Sequence, residues 1–342
     1  MIKVYPKTRT EIQKLIEDTI IPGASYAFIK NNQLESYREG LAAVYPEKEA
    51  IQKNQQYDVA SLTKVMLTTT VILQLLENET ISLEDPVHFY LPSFKSNEVT
   101  IQHLLTHTSA LNGLIFNRDQ LSANELKAAL LSLTPDSTLG KEVKYADINM
   151  ILLGYIIESI EKNTLFSVFK ERILDPLKLT DSTYHPNNTI QCAPTQNHPQ
   201  RGIIRGIVHD PKAWVLGDHC GSAGLFSSLE DVTRFSLMML QKGELDGVRI
   251  LKERTVSQLV KDRTPNGILN RSLGWDLITR KKGRYLFHTG FTGTFILLDI
   301  KNEEAFIFLS NRVHPSSDTK QYLKKRNQLL EVYFLEKEGE TI

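Results

Sequence analysis

The order of strand and helix patterns along the chain sets the strongest limit on its fold. A helix pattern at Thr10–Ile20 is followed by two strand patterns, Ser25–Ile29 and Leu34–Val44. The middle of the chain is predicted to be mostly helical, and the last third contains further strands and a closing helix. Terminal strands and helices of this kind can form one α/β lobe, with the helical middle inserted as a second lobe. A cleft between two such lobes is a usual place for a ligand.

The remaining predicted elements follow from apolar periodicity and from the breakers between them. Short helical runs alternate with breakers over residues 83–133. The segment Thr189–Gly224 is predicted to be loop-like. The predicted helices are Ser61–Leu76, Ile148–Ile160, Phe166–Leu174, Leu229–Leu240 and Asp318–Leu335, and the predicted strands are Leu273–Ile278, Tyr285–His288, Gly293–Ile300 and Ala305–Leu309.

Charge and cysteine content exclude several classes of protein. The 40 Lys and Arg residues balance 40 Asp and Glu residues, which argues against a nucleic-acid binder. The 2 cysteines exclude a disulfide framework and leave one bridge possible. No apolar run approaches the ~18 residues that a membrane span needs, and the first residues lack the apolar core of a secretory signal. As written, the sequence predicts a cytoplasmic protein without a membrane span, or an extracytoplasmic one if a leader has been removed.

The sharpest candidate for chemistry is the pair Ser61 and Lys64. The S-x-x-K pattern is weak alone, and it recurs at Ser159 and Ser167. Ser61, however, begins the most apolar long helix, where free N–H groups and the positive dipole end favour a developing negative charge. Lys64 lies one turn later on the same face and, in apolar surroundings, can accept the serine proton. The alternative is an N-cap serine and a surface lysine.

Two further segments contain candidate groups. Tyr145 and Asp147 stand just before a predicted helix, and a phenol near a lysine can act as general acid or base. Alone, they are better explained as a half-buried aromatic residue and an N-cap. The segment from His288 to Gly293 joins two predicted strands, and its backbone N–H groups, facing that of Ser61, would make an oxyanion hole. The alternative there is a glycine hairpin turn.

Order and spacing together give these segments more weight than each has alone. The chain resembles the serine β-lactamase and penicillin-binding-protein superfamily, in its class C-like branch of D-alanyl-D-alanine carboxypeptidases, esterases and acyltransferases. The resemblance spans about residues 20 to 315. It rests on Val59-Ala60-Ser61 to Lys64, Leu83-Glu84-Asp85-Pro86-Val87, Tyr90-Leu91-Pro92, Thr100 to Ser109, Tyr145-Ala146-Asp147, Leu152-Leu153-Gly154, Gly221 to Phe226, His288-Thr289-Gly290 and Leu309-Ser310-Asn311-Arg312.

This resemblance implies a fold and a set of roles. The fold would be α+β, a single β-lactamase/DD-peptidase-like domain over 1–342 with an antiparallel sheet from both chain ends, flanked by helices. The α/β lobe would take about 1–79 and 211–342, and the helical lobe about 80–210. The implied roles are Ser61 as nucleophile, Lys64 as base or proton relay, Tyr145 as proton shuttle, the backbone N–H groups of Ser61 and Phe291 as oxyanion hole, and Asp147, His288, Thr289 and Gly290 as substrate-binding residues.

Three residues depart from the family pattern. Asp147 replaces the family asparagine, and its carboxylate is expected either to raise the pKa of Lys64 and weaken it as a base, or to be protonated itself. His288 stands where many members have lysine, and it is expected to be only partly charged near neutrality. Both changes act against hydrolysis of anionic β-lactams. Ala110 replaces the glycine of "T-S-G-L", where a positive φ would be slightly costly.

The sequence therefore predicts a serine hydrolase that forms an acyl-enzyme on an amide or ester carbonyl, most readily in a D-amino-acid peptide or a small ester. Other interpretations are a β-lactamase and a weak penicillin-binding or peptidoglycan-fragment-binding protein. The expected partner is a small-molecule or short-peptide substrate, with no metal or organic cofactor, and the oligomeric state is left open.

Two other hydrolase mechanisms have weaker support. A metal hydrolase would use His103 and His107, but the sequence lacks H-E-x-x-H, and both are expected to be packed and hydrogen-bonded. The other histidine and aspartate candidates for such a site are His198, His209, Asp210, Asp218 and His219. A Ser-His-Asp hydrolase is disfavoured because no G-x-S-x-G motif occurs.

Overall fold

An antiparallel sheet of seven strands joins the two ends of the chain. It is seen in a computed structural model that describes residues 4–31, 33–316 and 318–340. Every neighbouring pair is antiparallel. In spatial order the strands are β10 (Asp276–Arg280), β11 (Gly283–Gly290), β12 (Thr294–Asp299), β13 (Glu304–Ser310), β1 (Gly23–Lys30), β2 (Gln33–Ala43) and β3 (Glu49–Ala50).

The pairing of β1 with β13 closes the sheet. Ala24 lies opposite Ser310, and Ile29 lies opposite Ala305. The predicted α+β fold, with an antiparallel sheet built from both chain ends and flanked by helices, is confirmed. The proposed lobe boundaries at about residues 79 and 210 stay a prediction.

The remaining elements are helices and short two-residue strands. The helices are α1 (Pro6–Glu17), α2 (Thr69–Glu77), α3 (Val87–Tyr90), α4 (Ile101–Leu105), α5 (Ala123–Leu131), α6 (Asp147–Glu161), α7 (Leu165–Phe169), α8 (Pro211–Leu216), α9 (Leu229–Leu240), α10 (Glu253–Gln258) and α11 (Thr319–Glu338). Turns of π-helix lie at Lys64–Thr68 and Lys170–Leu174, and turns of 3₁₀-helix at Thr189–Gln191 and Gly217–His219. The short strands are β4 (Tyr57–Asp58), β5 (Asn197–His198), β6 (Gly202–Ile203), β7 (Phe226–Ser227), β8 (Glu244–Leu245) and β9 (Val248–Arg249).

Alternation along the central strands divides the core between the two faces of the sheet, because successive side chains of a strand point to opposite faces. In β1, Tyr26 and Phe28 pack with residues of α1 and α11, whereas Ala27 and Ile29 face α2, α6 and α9. β12 and β13 alternate in the same way. The terminal helices therefore cover one face, and the helices of the middle and last third cover the other.

Several predicted boundaries are wrong, each for a local reason. The strand predicted at Leu273–Ile278 is β10, which begins only at Asp276. Gly274 is not part of the sheet, because its N–H donates to the carbonyl of Leu105. The segment Thr189–Gly224, predicted to be loop-like, contains the helix α8. The sequence does carry a helix-start signal there, because Asp210 accepts hydrogen bonds from the N–H groups of Lys212 and Ala213 and is followed by a proline at N1. The first helix begins at Pro6 rather than at Thr10.

The described residues settle the state of the two cysteines and include no membrane-spanning helix. Cys192 and Cys220 are both free and buried, so no bridge joins them. Among those residues, no helix combines the length and apolarity that crossing a membrane requires.

A buried ion cluster ties α11 to the sheet. The ammonium of Lys337 lies 3.0 Å from an oxygen of Asp299 and also pairs with Glu304, and these three side chains are 10% exposed or less. Glu304 additionally accepts a bond of 2.9 Å from the hydroxyl of Tyr5. Removing the ammonium would leave two carboxylates buried without their cation.

We predict that Lys337→Met lowers the free energy of unfolding by about 3 kcal/mol, because a broken buried ion pair leaves an uncompensated charge. Denaturant unfolding followed by circular dichroism measures this change. Lys324→Met, on the exposed side of the same helix, serves as the matched control. Equal stability of the two variants would contradict this description of the cluster.

Candidate active site

Ser61 lies in a sharply bent turn between β4 and the helix that leads into α2. Ala60, just before it, has a φ of +47°, which is uncommon for a residue with a side chain. The buried carboxylate of Asp58 accepts the N–H of Ala60 at 2.9 Å, and the hydroxyl of Thr63 donates to the carbonyl of Ala60 at 2.7 Å. These bonds hold the strained turn and thereby fix Ser61 at the start of the helix.

Lys64 is buried and lies at the centre of the site. Its Nζ is 2.6 Å from Oγ of Ser61, 2.7 Å from the carbonyl oxygen of Ser222 and 2.9 Å from Oδ1 of Asp147. The side chain is 0% exposed. As an ammonium, Lys64 can donate to all three groups. As a neutral amine, it can donate to the carbonyl and the carboxylate and still accept the proton of Ser61.

The protonation of Lys64 depends on two opposing effects. Burial is the largest single effect and would lower the pKa of its ammonium, but Asp147 and Tyr145 together outweigh burial and raise that pKa above its ordinary value. Hydrogen bonding to Tyr145 acts in the same direction as Asp147. The expected effect of Asp147 on the lysine is therefore seen in this structure, and the resting state has a protonated Lys64.

The loop that supplies the Ser222 carbonyl is packed tightly against α6. A Cβ on Gly221 would lie 2.2 Å from the carbonyl oxygen of Met150, so only glycine fits. The carbonyl of Gly221 itself accepts a 2.6 Å bond from the hydroxyl of Thr68. The G-S-A-G-L segment is thus a close-packing loop that places one acceptor for Lys64.

Tyr145 lies over the lysine from the turn that precedes α6. Its ring is half-exposed and stacks on His107 at 4.6 Å between ring centroids. The Nζ of Lys64 is 5.3 Å from the centroid of the tyrosine ring. Ser61, Lys64, Tyr145 and Asp147 are therefore brought together as the sequence predicts.

A buried network below Tyr145 holds this turn. Nδ1 of His107 accepts the N–H of Ala146 at 3.2 Å and lies 2.8 Å from the amide nitrogen of Asn149. The hydroxyl of Ser109 donates to the amide oxygen of Asn149 at 2.5 Å. Burial lowers the pKa of His107 well below its usual range, so this histidine stays neutral. His107 is thus packed and hydrogen-bonded, as predicted.

The rest of the segment Thr100 to Ser109, and Ala110 after it, also have a structural explanation. His103 closes a capping box at the start of α4, where its Nδ1 accepts the N–H of Thr100 at 3.1 Å. Ala110 has a φ of +53°, so the expected positive φ at the family glycine position is confirmed. Across the described ranges, no three His, Cys, Asp or Glu side chains converge to form a metal site.

The end of β11 lies close to the turn of Ala60 and Ser61, called the nucleophile turn below because Ser61 is the predicted nucleophile. A Cβ on Gly290 would lie 2.4 Å from the carbonyl oxygen of Val59, so this glycine permits contact with the turn. The hydroxyls of Thr292 and Thr294 donate to the carbonyls of Asp58 and Val59, at 2.7 and 3.1 Å. Within the chain as described, no hydrogen bond uses the backbone N–H of Ser61 or Phe291. Both remain available for an oxyanion.

Arg312 holds Phe291 from behind. Its Nε donates to the carbonyl of Phe291 at 2.8 Å, and its guanidinium lies 4.5 Å from the centroid of that ring. The ring of His209 stacks on the half-exposed ring of Phe291 at 5.4 Å between centroids. Arg312 of the closing L-S-N-R segment therefore positions Phe291, whose N–H is the predicted second oxyanion donor.

Lys212 is a residue of the site that the sequence analysis missed. Its Nζ lies 2.8 Å from Oδ2 of Asp147, whose other oxygen faces Lys64. Burial alone would raise the pKa of Asp147, but the two ammonium groups lower it below its usual range. Asp147 is therefore an ionised bridge between two lysines. Its N-terminal position on α6 was predictable, but the lysine on α8 had no motif to mark it.

His288 does not carry the partial charge expected of it. It is buried on β11, and burial, together with the cations of Arg271 and Lys64, lowers its pKa well below the usual range. Its Nδ1 is 3.1 Å from the carbonyl of Thr289, a partly exposed residue of the same strand. The expectation of a partly protonated His288 is wrong, because a histidine beside a buried guanidinium stays neutral.

Arg271 supplies the permanent positive charge near this strand, and no motif predicted it. One nitrogen of its buried guanidinium pairs with Asp276. Among the residues described, Nε and Nη2 of Arg271 have no hydrogen-bond partner. The guanidinium carbon is 5.7 Å from the centroid of the Tyr145 ring. A cation with two free donors therefore lies beside the predicted proton shuttle.

Comparison with known proteins agrees with this geometry. Residues 8–330 match the family model described as "Beta-lactamase", and the chain belongs to the β-lactamase family. It is 29% identical over 309 residues to a "Putative D-alanyl-D-alanine carboxypeptidase" of Salmonella typhimurium, covering 76% of this chain and 70% of the relative.

Solved structures show the same fold. A class C β-lactamase mutant superposes with a TM-score of 0.76 at 17% identity, covering 97% of this chain and 99% of the other. EstCE1, a hydrolase with promiscuous acyltransferase activity, gives a TM-score of 0.76 at 16% identity, with 94% and 97% covered. At such identities the likeness shows the fold alone. The family match identifies the chain as a β-lactamase-family hydrolase.

We predict that Asp147→Asn moves the acidic limb of the pH–rate profile downward by about 1 unit or more, because an opposite charge at this distance raises a lysine pKa by that amount. Without the carboxylate, burial lowers the pKa of Lys64, so the free amine is present at lower pH. The measurement is kcat/KM for a p-nitrophenyl ester against pH.

The matched control is Asp175→Asn, which breaks an exposed pair with Lys170 and is expected to leave the profile in place. An unchanged or upward-shifted profile for Asp147→Asn would show that Asp147 does not suppress the base.

Proposed function

We propose that this chain removes a carboxyl-terminal D-amino acid from short peptides through an acyl-enzyme on Ser61. The observation that carries this proposal is the buried guanidinium of Arg271, which has two unpartnered donors beside Tyr145 and His288. A guanidinium fork of this kind matches a carboxylate. The relative named as a D-alanyl-D-alanine carboxypeptidase supports the choice of a D-amino-acid peptide.

The first step transfers one proton and forms one bond. The reaction starts from the fraction of the protein in which Lys64 has lost its ammonium proton to solvent. The neutral amine takes the proton of Ser61 across 2.6 Å while Oγ attacks the peptide carbonyl carbon. The negative charge moves to the carbonyl oxygen, where the N–H groups of Ser61 and Phe291 stabilise it.

The second step breaks the peptide bond. The hydroxyl of Tyr145 protonates the leaving amine, and the proton held by Lys64 restores the phenol. The terminal amino acid departs from Arg271, and the acyl group stays on Ser61. Water then attacks the ester, with the same groups moving protons in reverse, and returns Ser61 to its hydroxyl form.

The charges around the site are balanced before a substrate binds. Lys64, Lys212 and Arg271 provide three positive charges against the three carboxylates of Asp147, Asp210 and Asp276. His288 is neutral and adds none. The proposed attraction for an incoming carboxylate therefore comes from the guanidinium of Arg271 and not from a net positive charge of the site.

The guanidinium of Arg271 makes β-lactam acylation a second candidate activity, since penicillins also carry a carboxylate. The two activities differ in the fate of the acyl-enzyme. A penicillin adduct that persists for many minutes supports the peptidase, whereas rapid turnover of penicillin with little peptide cleavage would favour the β-lactamase.

Arg271→Gln tests the proposal on two matched peptides, an N-acetylated peptide ending in D-Ala-D-Ala and its carboxyl-terminal amide. We expect the wild-type protein to prefer the acid, and the variant to lose about 10- to 100-fold of that preference in kcat/KM, since a hydrogen bond between charged groups contributes about 1.5–3 kcal/mol. Arg254→Gln, at an exposed arginine, is the control.

Because the readout is the ratio between two substrates of one variant, partial misfolding of Arg271→Gln does not alter it. Equal rates on acid and amide in the wild-type protein would refute the carboxypeptidase proposal. Preferred cleavage of simple esters that lack a carboxylate would point to an esterase.

A further inference from the structure

A second cavity adjoins the catalytic groups. It has a volume of about 470 Å³, and its lining includes Arg118, Asp119, Arg201, His209 and Trp214. A neighbouring cleft of about 250 Å³ is lined by Tyr145 and, among other residues, by Arg118. Arg118 therefore borders both spaces.

The smaller cleft, of about 250 Å³, also places Arg118 close to the ion pair of Asp147 and Lys212. Asp147 and Lys212 line that cleft together with Arg118. Neither Arg271 nor His288 lines either space. Arg118 therefore borders two spaces that Arg271 does not line. If Arg271 holds the leaving amino acid, the acyl part of the substrate is the part that reaches Arg118.

Arg201 forms a wall of the larger cavity and is already engaged. Its Nη2 donates to the carbonyl of Val208 at 3.1 Å, and its guanidinium lies 4.9 Å from the ring centroid of Trp214. The negative charges of Asp58 and Asp119 act on it. His209 adds no charge, because burial lowers its pKa to about 4.

Arg118, in contrast, is a cation without a counter-ion in the part of the chain that the structure describes. No hydrogen bond or ion pair joins it to those residues, and its Nε is buried without a partner. A guanidinium nitrogen shielded from water needs an acceptor, and a carboxylate is its best geometric match. Leu114 lines the smaller cleft and Trp214 lines the larger cavity, and both side chains are exposed. They offer apolar contacts for a carbon chain leading to that carboxylate.

We propose that Arg118 binds a carboxylate on the acyl part of the substrate, so that the enzyme selects peptides with an acidic group ahead of the scissile bond. This inference rests on the proposed carboxypeptidase function, which it extends by a second anionic contact. The substrate would then carry two carboxylates: one on the leaving amino acid at Arg271, and one on a side chain or amino-terminal acyl group at Arg118.

The test uses two peptides that differ only at this point. One carries an amino-terminal glutaryl group with a free carboxylate before Gly-D-Ala-D-Ala, and the other carries the isosteric glutaramide. We expect wild-type kcat/KM to favour the glutaryl peptide by at least 10-fold at low ionic strength, and less at high salt. In Arg118→Gln the ratio falls to about 1, whereas Arg254→Gln keeps the wild-type ratio.

Binding separates failure of this inference from failure of the proposed function. In Ser61→Ala, which cannot be acylated at this position, calorimetry gives the affinity of both peptides whether or not the wild-type protein cleaves them. Tighter binding of the glutaryl peptide, lost on adding Arg118→Gln, supports the contact. Equal affinity for both peptides, or a preference that survives Arg118→Gln, overturns it.

Discussion

The burial of Lys64 between a hydroxyl, a carbonyl and a carboxylate is the interaction on which the site depends. A buried charge that loses a partner costs several kcal/mol, so the elements that provide these partners are held in place. The Ser222 carbonyl requires a glycine pressed against α6, and Asp147 stands at the start of that helix. The nucleophile turn, the G-S-A-G-L loop and α6 are therefore positioned by one amine.

The charge pattern differs from the one the family resemblance implies, yet it is balanced by other residues. Asp147 occupies the position of the family asparagine, and Lys212 neutralises it from α8. His288 occupies the position of a lysine in many members, and Arg271 brings a permanent cation near the same strand. Two substitutions that suggested a weakened anion site are thus each accompanied by a buried positive charge.

Much of the fold was predictable, because strand alternation and helix periodicity are local properties. The motif residues Ser61, Lys64, Tyr145 and Asp147 could also be chosen from sequence order, and the structure brings them together. Lys212 and Arg271 could not, since their importance comes from neighbours distant in sequence and from burial. The neutral state of His288 escaped prediction for the same reason. The substrate-binding role of Gly290 stays a prediction, and the structure shows that this glycine makes room for the Val59 backbone.

Covalent labelling tests the central claim most directly, namely that the hydroxyl of Ser61, held against Lys64, is the nucleophile. The protein is treated with a fluorescent penicillin and, separately, with a fluorophosphonate, and the adduct is located by peptide mass spectrometry. We expect a single adduct on Ser61 with both probes and no adduct in Ser61→Ala. Labelling of Ser61→Ala to the same extent as the wild-type protein would show that the nucleophile is a different residue.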